Sequence, residues 1–152
     1  MADASRDPYN SINPSTNVEI YENEIVENGE MGIWLVGAHD VKIYKNNIYQ
    51  SKHRVDEISG SSGIMLETNS VDVEIFENKI YYNDRCGINI AAGLNVDIHD
   101  NEISYNGNGG VGLMYLDYVY NQGIKILIFS IITYTTIESM RFVSTQKLIL
   151  KI

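Results

Sequence analysis

A repeat of about 23 residues constrains the fold of this chain more than any other feature of its sequence. The pattern Val-x-Ile-x-x-Asn-x-Ile occurs four times, with its asparagines at Asn23, Asn46, Asn78 and Asn101. A second motif, Gly-Ile-x-Leu or a close variant, follows in every repeat and begins at Gly32, Gly63, Gly87 and Gly110. A fixed period of this length is typical of solenoids, in which similar units stack on one another.

Each repeat predicts three short strands and no helix. Apolar and polar residues alternate over short runs that asparagine or glycine interrupts, which is the pattern of brief strands joined by turns. Such strands cannot bury their inner faces alone, but coils stacked roughly 4.8 Å apart bring the Val, Ile and Leu positions into one column. The sequence therefore predicts an all-β protein, a parallel β-helix of about four to five coils.

The length of 152 residues suits a single domain, which we divide into three segments. Residues 1–16 are interpreted as a partial coil or wall loop, and residues 17–121 as the β-helix repeats. Residues 122–152 differ in composition, because all twelve glycines lie at or before Gly123 and the formal charge changes from −12 over residues 1–122 to +3 over residues 123–152. This atypical segment is interpreted as a last coil, a cap or a non-homologous tail of a truncated or frame-shifted gene.

The asparagine rows are interpreted as structural ladders along the stacked coils. Side-chain amides can hydrogen-bond to the backbone and to one another at such corners, and asparagine tolerates left-handed turn geometry there. A second row follows the first, with a serine in the second coil: Asn28, Ser51, Asn83 and Asn106. Glycosylation or ligand binding is the alternative for these residues.

Outward side chains of neighbouring coils are also aligned by the repeat. It places Lys42 between Glu19 and Glu74, an arrangement in which opposite charges stabilise neighbouring strands. The next outward row is Tyr21, Tyr44, Phe76 and His99. This row is either an aromatic ladder that stabilises the stack or a strip on which sugar rings bind.

Composition excludes several classes of function. Twenty Asp and Glu against eleven Lys and Arg give a formal net charge of −9, which opposes nucleic-acid binding. The single cysteine, Cys86, excludes an internal disulfide and is interpreted as a core residue. The first residues contain no apolar signal-peptide core, and the longest apolar run, near residues 123–134, is too short to span a membrane.

The two motifs resemble the right-handed parallel β-helix repeats of the pectate-lyase-like superfamily, over about residues 17–117. That superfamily includes polysaccharide lyases, alginate epimerases, glycosidases, phage tailspikes and non-catalytic repeat proteins. The resemblance implies an extracellular or cell-surface protein that contacts a polysaccharide. It also implies a substrate groove whose floor is the outer face of the Gly-Ile-x-Leu strands.

An eight-residue insertion in the second coil adds ionisable residues beside this expected groove. If the resemblance extends to a lyase or C5-epimerase, a base must remove a proton next to a sugar carboxylate, and a cation must stabilise the resulting charge. The candidates for catalysis are Lys52, His53 or Arg54 as base and Arg85 as the neutralising cation. Expected calcium ligands are Asp56, Glu57 and Glu67. Expected substrate-binding residues are Trp34, Asn89, Glu67 and His39.

A different class of function is also compatible with the repeat. The coils can form a non-catalytic structural or adhesive module of a surface protein, and the chain can be a fragment of a longer one. Terminal strands of a solenoid have unpaired edges, so self-association through the ends of the β-helix is a further expectation.

Overall fold

The computed structural model describes residues 14–52, 61–67, 70–113, 125–137 and 140–151, and every regular element among them is a strand. Twelve short strands precede a longer pair: β1 Thr16–Tyr21, β2 Glu24–Val26, β3 Ile33–Val36, β4 His39–Tyr44, β5 Asn47–Tyr49, β6 Ile64–Glu67, β7 Ser70–Phe76, β8 Lys79–Tyr81, β9 Cys86–Ile90, β10 Gly93–His99, β11 Asn101–Ser104 and β12 Gly109–Leu113, then β13 Lys125–Ile137 and β14 Met140–Lys151. No helix long and apolar enough to cross a membrane occurs in these ranges.

The twelve short strands form four coils of three strands each. Equivalent strands of successive coils pair in parallel, so that three stacks run along the molecule. The first stack contains β1, β4, β7 and β10, the second β2, β5, β8 and β11, and the third β3, β6, β9 and β12. The pairing of Val18 with Val41, of Val41 with Val73 and of Val73 with Val96 confirms the register that the sequence repeat predicts.

The core is the column of inward side chains between the three stacks. Thirteen of its side chains are at most 2% exposed: Val41, Ile43, Ile48, Ile64, Leu66, Val73, Ile75, Ile80, Ile88, Ile90, Val96, Ile98 and Ile103. Burying each of these side chains stabilises the fold by roughly 1.5–3 kcal/mol. Since no single coil can enclose this column, its stability comes from stacking.

The turns at the first asparagine row each contain one left-handed residue. The left-handed residue is the one before each asparagine, with φ of 55° at Glu22, 55° at Lys45, 53° at Glu77 and 52° at Asp100. The asparagines themselves are not left-handed. The left-handed residue bends the chain from the first stack into the second, and the next side chain then points inward, where Asn46, Asn78 and Asn101 are each 1% exposed.

The ladder interpretation of this row is confirmed. Asn46 donates hydrogen bonds to Asn78 Oδ1 from its backbone nitrogen and from Nδ2, both at 3.0 Å. Asn78 repeats this pattern with Asn101, at 3.0 and 2.9 Å. The amides thus satisfy one another in the interior, where an unpaired polar group costs about 1–3 kcal/mol.

Strand β13 continues the stack beyond the fourth coil. It runs parallel to both β10 and β11 and joins the first two stacks into one sheet, and β14 pairs with it in the antiparallel direction. It therefore lies where a last coil or a cap would lie. The last strand of the third stack, β12, is only partly buried, and among the described strands β13 pairs with the other two stacks alone.

Candidate functional site

The outer face of the third stack is the surface that the sequence predicts as a groove floor. Trp34, Met65, Asn89 and Gly112 form one row across its strands. Trp34 is 52% exposed, whereas Met65 and Asn89 are 7% and 3% exposed. Asn89, an expected substrate-binding residue, is therefore buried beneath this face. Gly112 has no side chain, and Asn89 Oδ1 lies 3.4 Å from the position that a Cβ would occupy there, so the amide packs against the neighbouring strand.

Trp34 is the aromatic side chain that this face offers to a ligand. Its indole nitrogen donates a hydrogen bond of 2.8 Å to Oε2 of Glu67, which lies on the next coil. The indole therefore extends from β3 towards β6 and is held there, with half of its surface in solvent. Val36, which pairs with Glu67, is 56% exposed and adds apolar surface beside the ring. The predicted binding residues Trp34 and Glu67 are thus brought together.

The other predicted site residues are not shown to converge on this pair. Lys52 is exposed, and its backbone nitrogen donates to the carbonyl of Asn28 at 2.9 Å. Arg85 is partly buried in the turn before β9, with its backbone nitrogen bonded to the Ser61 carbonyl at 3.0 Å. The remaining insertion candidates lie outside the described residues: His53, Arg54, Asp56 and Glu57.

His39 begins β4, at the opposite corner of the third stack. It is partly buried and pairs with Thr16 and with Val71. The predicted calcium site has only Glu67 within the described ranges, and no group of three or more His, Cys, Asp or Glu residues there is arranged to hold a metal ion. The calcium site therefore stays a prediction.

A second concave surface lies on the outer face of the first stack. Its cavity has a volume of about 370 Å³ and is lined by two rows of polar residues, Asn17, Asp40, Asp72 and Asn95, and Glu19, Lys42, Glu74 and Asp97. All four residues of the first row have φ between 53° and 55°. The repeat itself signals this row, since each member directly precedes a Val-x-Ile strand.

Carboxylates dominate the electrostatics of this cavity. Lys42 forms an ion pair of 3.5 Å with Glu74, as the repeat predicts. Burial raises the pKa of the Asp97 carboxyl, and the nearby Glu74 raises it further against the opposing effect of His99. The cavity is therefore unsuited to a polyanion.

The row Tyr21, Tyr44, Phe76 and His99 is an aromatic ladder. Successive rings lie 4.9–5.2 Å apart with interplanar angles of 6–8°. Because the ring faces cover one another, the row presents mainly ring edges to solvent, which favours the structural interpretation over the sugar-binding one.

Tyr82 and Tyr105 form a further, more exposed aromatic pair that is not among the candidate residues predicted from the sequence. They are 53% and 45% exposed and stack at 5.0 Å. They occupy equivalent left-handed positions in consecutive coils, with φ of 55° and 53°. Such a pair can be found in the sequence by comparing the residue before each member of the second asparagine row.

A family model described as the right-handed beta helix region matches residues 8–139 of the chain. No curated protein and no solved structure matches it. The family match agrees with the parallel stacks and extends beyond the repeats seen in the sequence, into β13.

Proposed function

Since the chain belongs to the right-handed β-helix family, we propose that it binds a polysaccharide on the outer face of β3 and β6. The observation that carries this proposal is the half-exposed indole of Trp34, fixed by its hydrogen bond to Glu67. An exposed, oriented ring offers an apolar face to the C–H groups of a pyranose. The adjacent carboxylate can accept hydrogen bonds from sugar hydroxyls.

Charge favours a neutral polysaccharide over an acidic one. The chain carries a formal charge of −9, and the carboxylate of Glu67 accepts a hydrogen bond from the indole nitrogen of Trp34. A uronate bound at the ring would bring a second negative charge close to this carboxylate, and like charges at such distances repel. We therefore infer a preference for uncharged glycans.

The proposal is tested by calorimetric titration of neutral glucans, mannans and galactans alongside pectate, alginate and chondroitin. We expect a neutral glycan to bind, and Trp34→Ala to weaken that binding by about 10- to 100-fold, as is typical of a central aromatic contact. Trp34→Ala should leave the melting temperature nearly unchanged, because the ring is half exposed.

Two variants of Glu67 separate ring orientation from charge. Glu67→Gln keeps an oxygen that can accept the indole hydrogen bond, so affinity for a neutral glycan should stay within about threefold of the wild type. Glu67→Ala removes the acceptor and should weaken binding by about 3- to 10-fold. Absence of binding to every glycan, or unchanged affinity of Trp34→Ala, would refute the proposal.

A lyase or C5-epimerase activity stays a prediction that rests on Lys52, His53, Arg54 and Arg85. Unsaturated products or altered uronate composition after incubation with pectate, alginate and chondroitin, with and without calcium, would support it. Loss of that activity in Arg85→Gln would assign the arginine a role. A folded protein that binds a glycan and leaves it unchanged would instead be a non-catalytic surface module.

A further inference from the structure

The second asparagine row is interrupted in the second coil. In the later coils, Asn106 Oδ1 accepts hydrogen bonds from the backbone nitrogen and Nδ2 of Asn83, at 3.0 and 2.9 Å. Asn83 Oδ1 in turn accepts a bond of 3.0 Å from the backbone nitrogen of Ser51. Position 51 carries a hydroxyl in place of an amide, so the ladder stops before it reaches Asn28.

The intact members of the row show what the amide provides. Asn106 Nδ2 donates to the carbonyl of Ile80 at 3.0 Å, and Asn83 Nδ2 to that of Ile48 at 3.5 Å. Each amide nitrogen also packs against a glycine, lying 3.0 Å from the Cβ position of Gly63 or 2.9 Å from that of Gly87. The amide therefore fills the space at this corner, where its oxygen accepts hydrogen bonds and its nitrogen donates them.

The corner at Ser51 has the same glycine and isoleucine neighbours as the later corners, but it has no side-chain amide. At Gly32 the three nearest atoms belong to Gly63 and Ile48, and the third is already 3.5 Å away. Ser51 is fully buried, and its hydroxyl has no hydrogen-bond partner within the described ranges. The buried Nδ2 of Asn28 likewise has none there. The amide nitrogen of Asn28 and the hydroxyl of Ser51 thus face the space that an asparagine side chain at position 51 would fill.

We propose that this corner is a binding site for a buried water molecule that replaces the missing amide. The water accepts a hydrogen bond from Asn28 Nδ2 and forms a second hydrogen bond with the Ser51 hydroxyl. By analogy with the later coils, it donates to the carbonyl of Ile25. Three partners of this kind are typical of buried water. A cation does not suit the site, because the Asn28 amide directs its hydrogens towards it.

Two further buried hydroxyls lie in the turn that leads into β6. Ser61 and Ser62 are fully buried, and both hydroxyls lack a hydrogen-bond partner among the described residues. Their backbone carbonyls are bonded to Arg85 and Gly32, which places them level with the turns of the neighbouring coils. The site therefore lies at the base of the eight-residue insertion, where the second coil departs from the repeat.

Two variants test the site, together with a high-resolution crystal structure of the wild type. The wild-type structure should contain a water within hydrogen-bond distance of Ser51 Oγ and Asn28 Nδ2. Ser51→Asn should place its amide there, expel the water and raise the melting temperature by about 2–4 °C. The matched variant Asn83→Ser should create the same gap one coil later, bind a second water and lower the melting temperature.

The wild-type structure is decisive even if Ser51→Asn fails to fold. Ordered water on both groups establishes the site. Ser51 and Asn28 bonded only to protein atoms would overturn the proposal, and so would a Ser51→Asn structure that retains the water beside the new amide.

Discussion

A single asparagine side chain links three coils of this molecule. Asn78 Oδ1 accepts two hydrogen bonds from Asn46, and its Nδ2 donates to Asn101 and to the carbonyls of Ile43 and Phe76. The repeat predicts the ladder because the spacing aligns the asparagines. The sequence does not show which residue of the corner adopts the left-handed conformation, since Glu22, Lys45 and Asp100 have no shared preference for it beyond their position.

Replacing Asn78 by alanine should lower the free energy of unfolding by about 2–4 kcal/mol, because it leaves amide and carbonyl groups of three coils unpaired in the interior. The measurement is urea denaturation, in which an unchanged dependence of the unfolding free energy on urea concentration indicates an unchanged fold.

Asn47→Ala is the matched control. This partly buried amide bonds only to Glu24 within the described residues, so its loss should cost less than about 1 kcal/mol. Equal effects of the two variants would contradict the ladder account.

At the scale of elements, β10 carries a histidine whose charge depends on pH. Burial lowers the pKa of His99, but hydrogen bonds to Asp100 at 2.9 Å and Glu74 at 3.2 Å outweigh this effect and raise the pKa above its ordinary value. A raised pKa in the folded state means that protonation stabilises the fold. This stabilisation is complete below the unfolded pKa of about 6.5 and is lost as the pH rises through the folded value.

We therefore expect the wild type to lose stability relative to His99→Gln between about pH 5.5 and about pH 8.5. The difference should be below about 1 kcal/mol, because the ring lies near the surface and solvent screens its ion pairs. Urea midpoints of both proteins across this range measure it. A constant difference over the whole range, or one that grows in favour of the wild type with rising pH, would contradict the assignment.

The site on the third stack was only partly predictable from the elements. The register of β3 and β6 follows from the Gly-Ile-x-Leu motif, so the sequence places Trp34 and Glu67 on neighbouring coils. Their hydrogen bond, and the burial of Met65 and Asn89 in the same row, depend on how side chains pack across the strands. Periodicity contains no information on that packing, so the sequence does not show that Asn89 is buried.

Strand β13 pairs with the last strands of the first and second stacks. Val96 and Ile98, which are fully buried, pair with Ile126 and Ile128. Ile103, which pairs with Thr133 of the same strand, is also fully buried. The change of composition near residue 122 marks this boundary in the sequence. It does not reveal the pairing, because residues 125–151 do not follow the 23-residue pattern.

Deleting residues 125–151 should expose the edges of β10 and β11, together with the core side chains Val96, Ile98 and Ile103. We expect a loss of about 3–5 kcal/mol in the free energy of unfolding and association through the open strands. Thermal unfolding and light scattering of the separated protein measure the two effects. A truncated chain that stays monomeric, with the melting temperature of the full chain, would contradict a capping role for β13.

Trp34 is the only tryptophan of the chain, so its fluorescence reports on the proposed binding surface without any label. We predict that a neutral polysaccharide changes the intensity of the emission and shifts it to shorter wavelength, because a sugar ring replaces water on the exposed indole face. The change should saturate at the same concentration as the calorimetric signal. Calorimetric binding that leaves the emission unchanged would show that the glycan binds elsewhere, and would contradict the assignment of this surface.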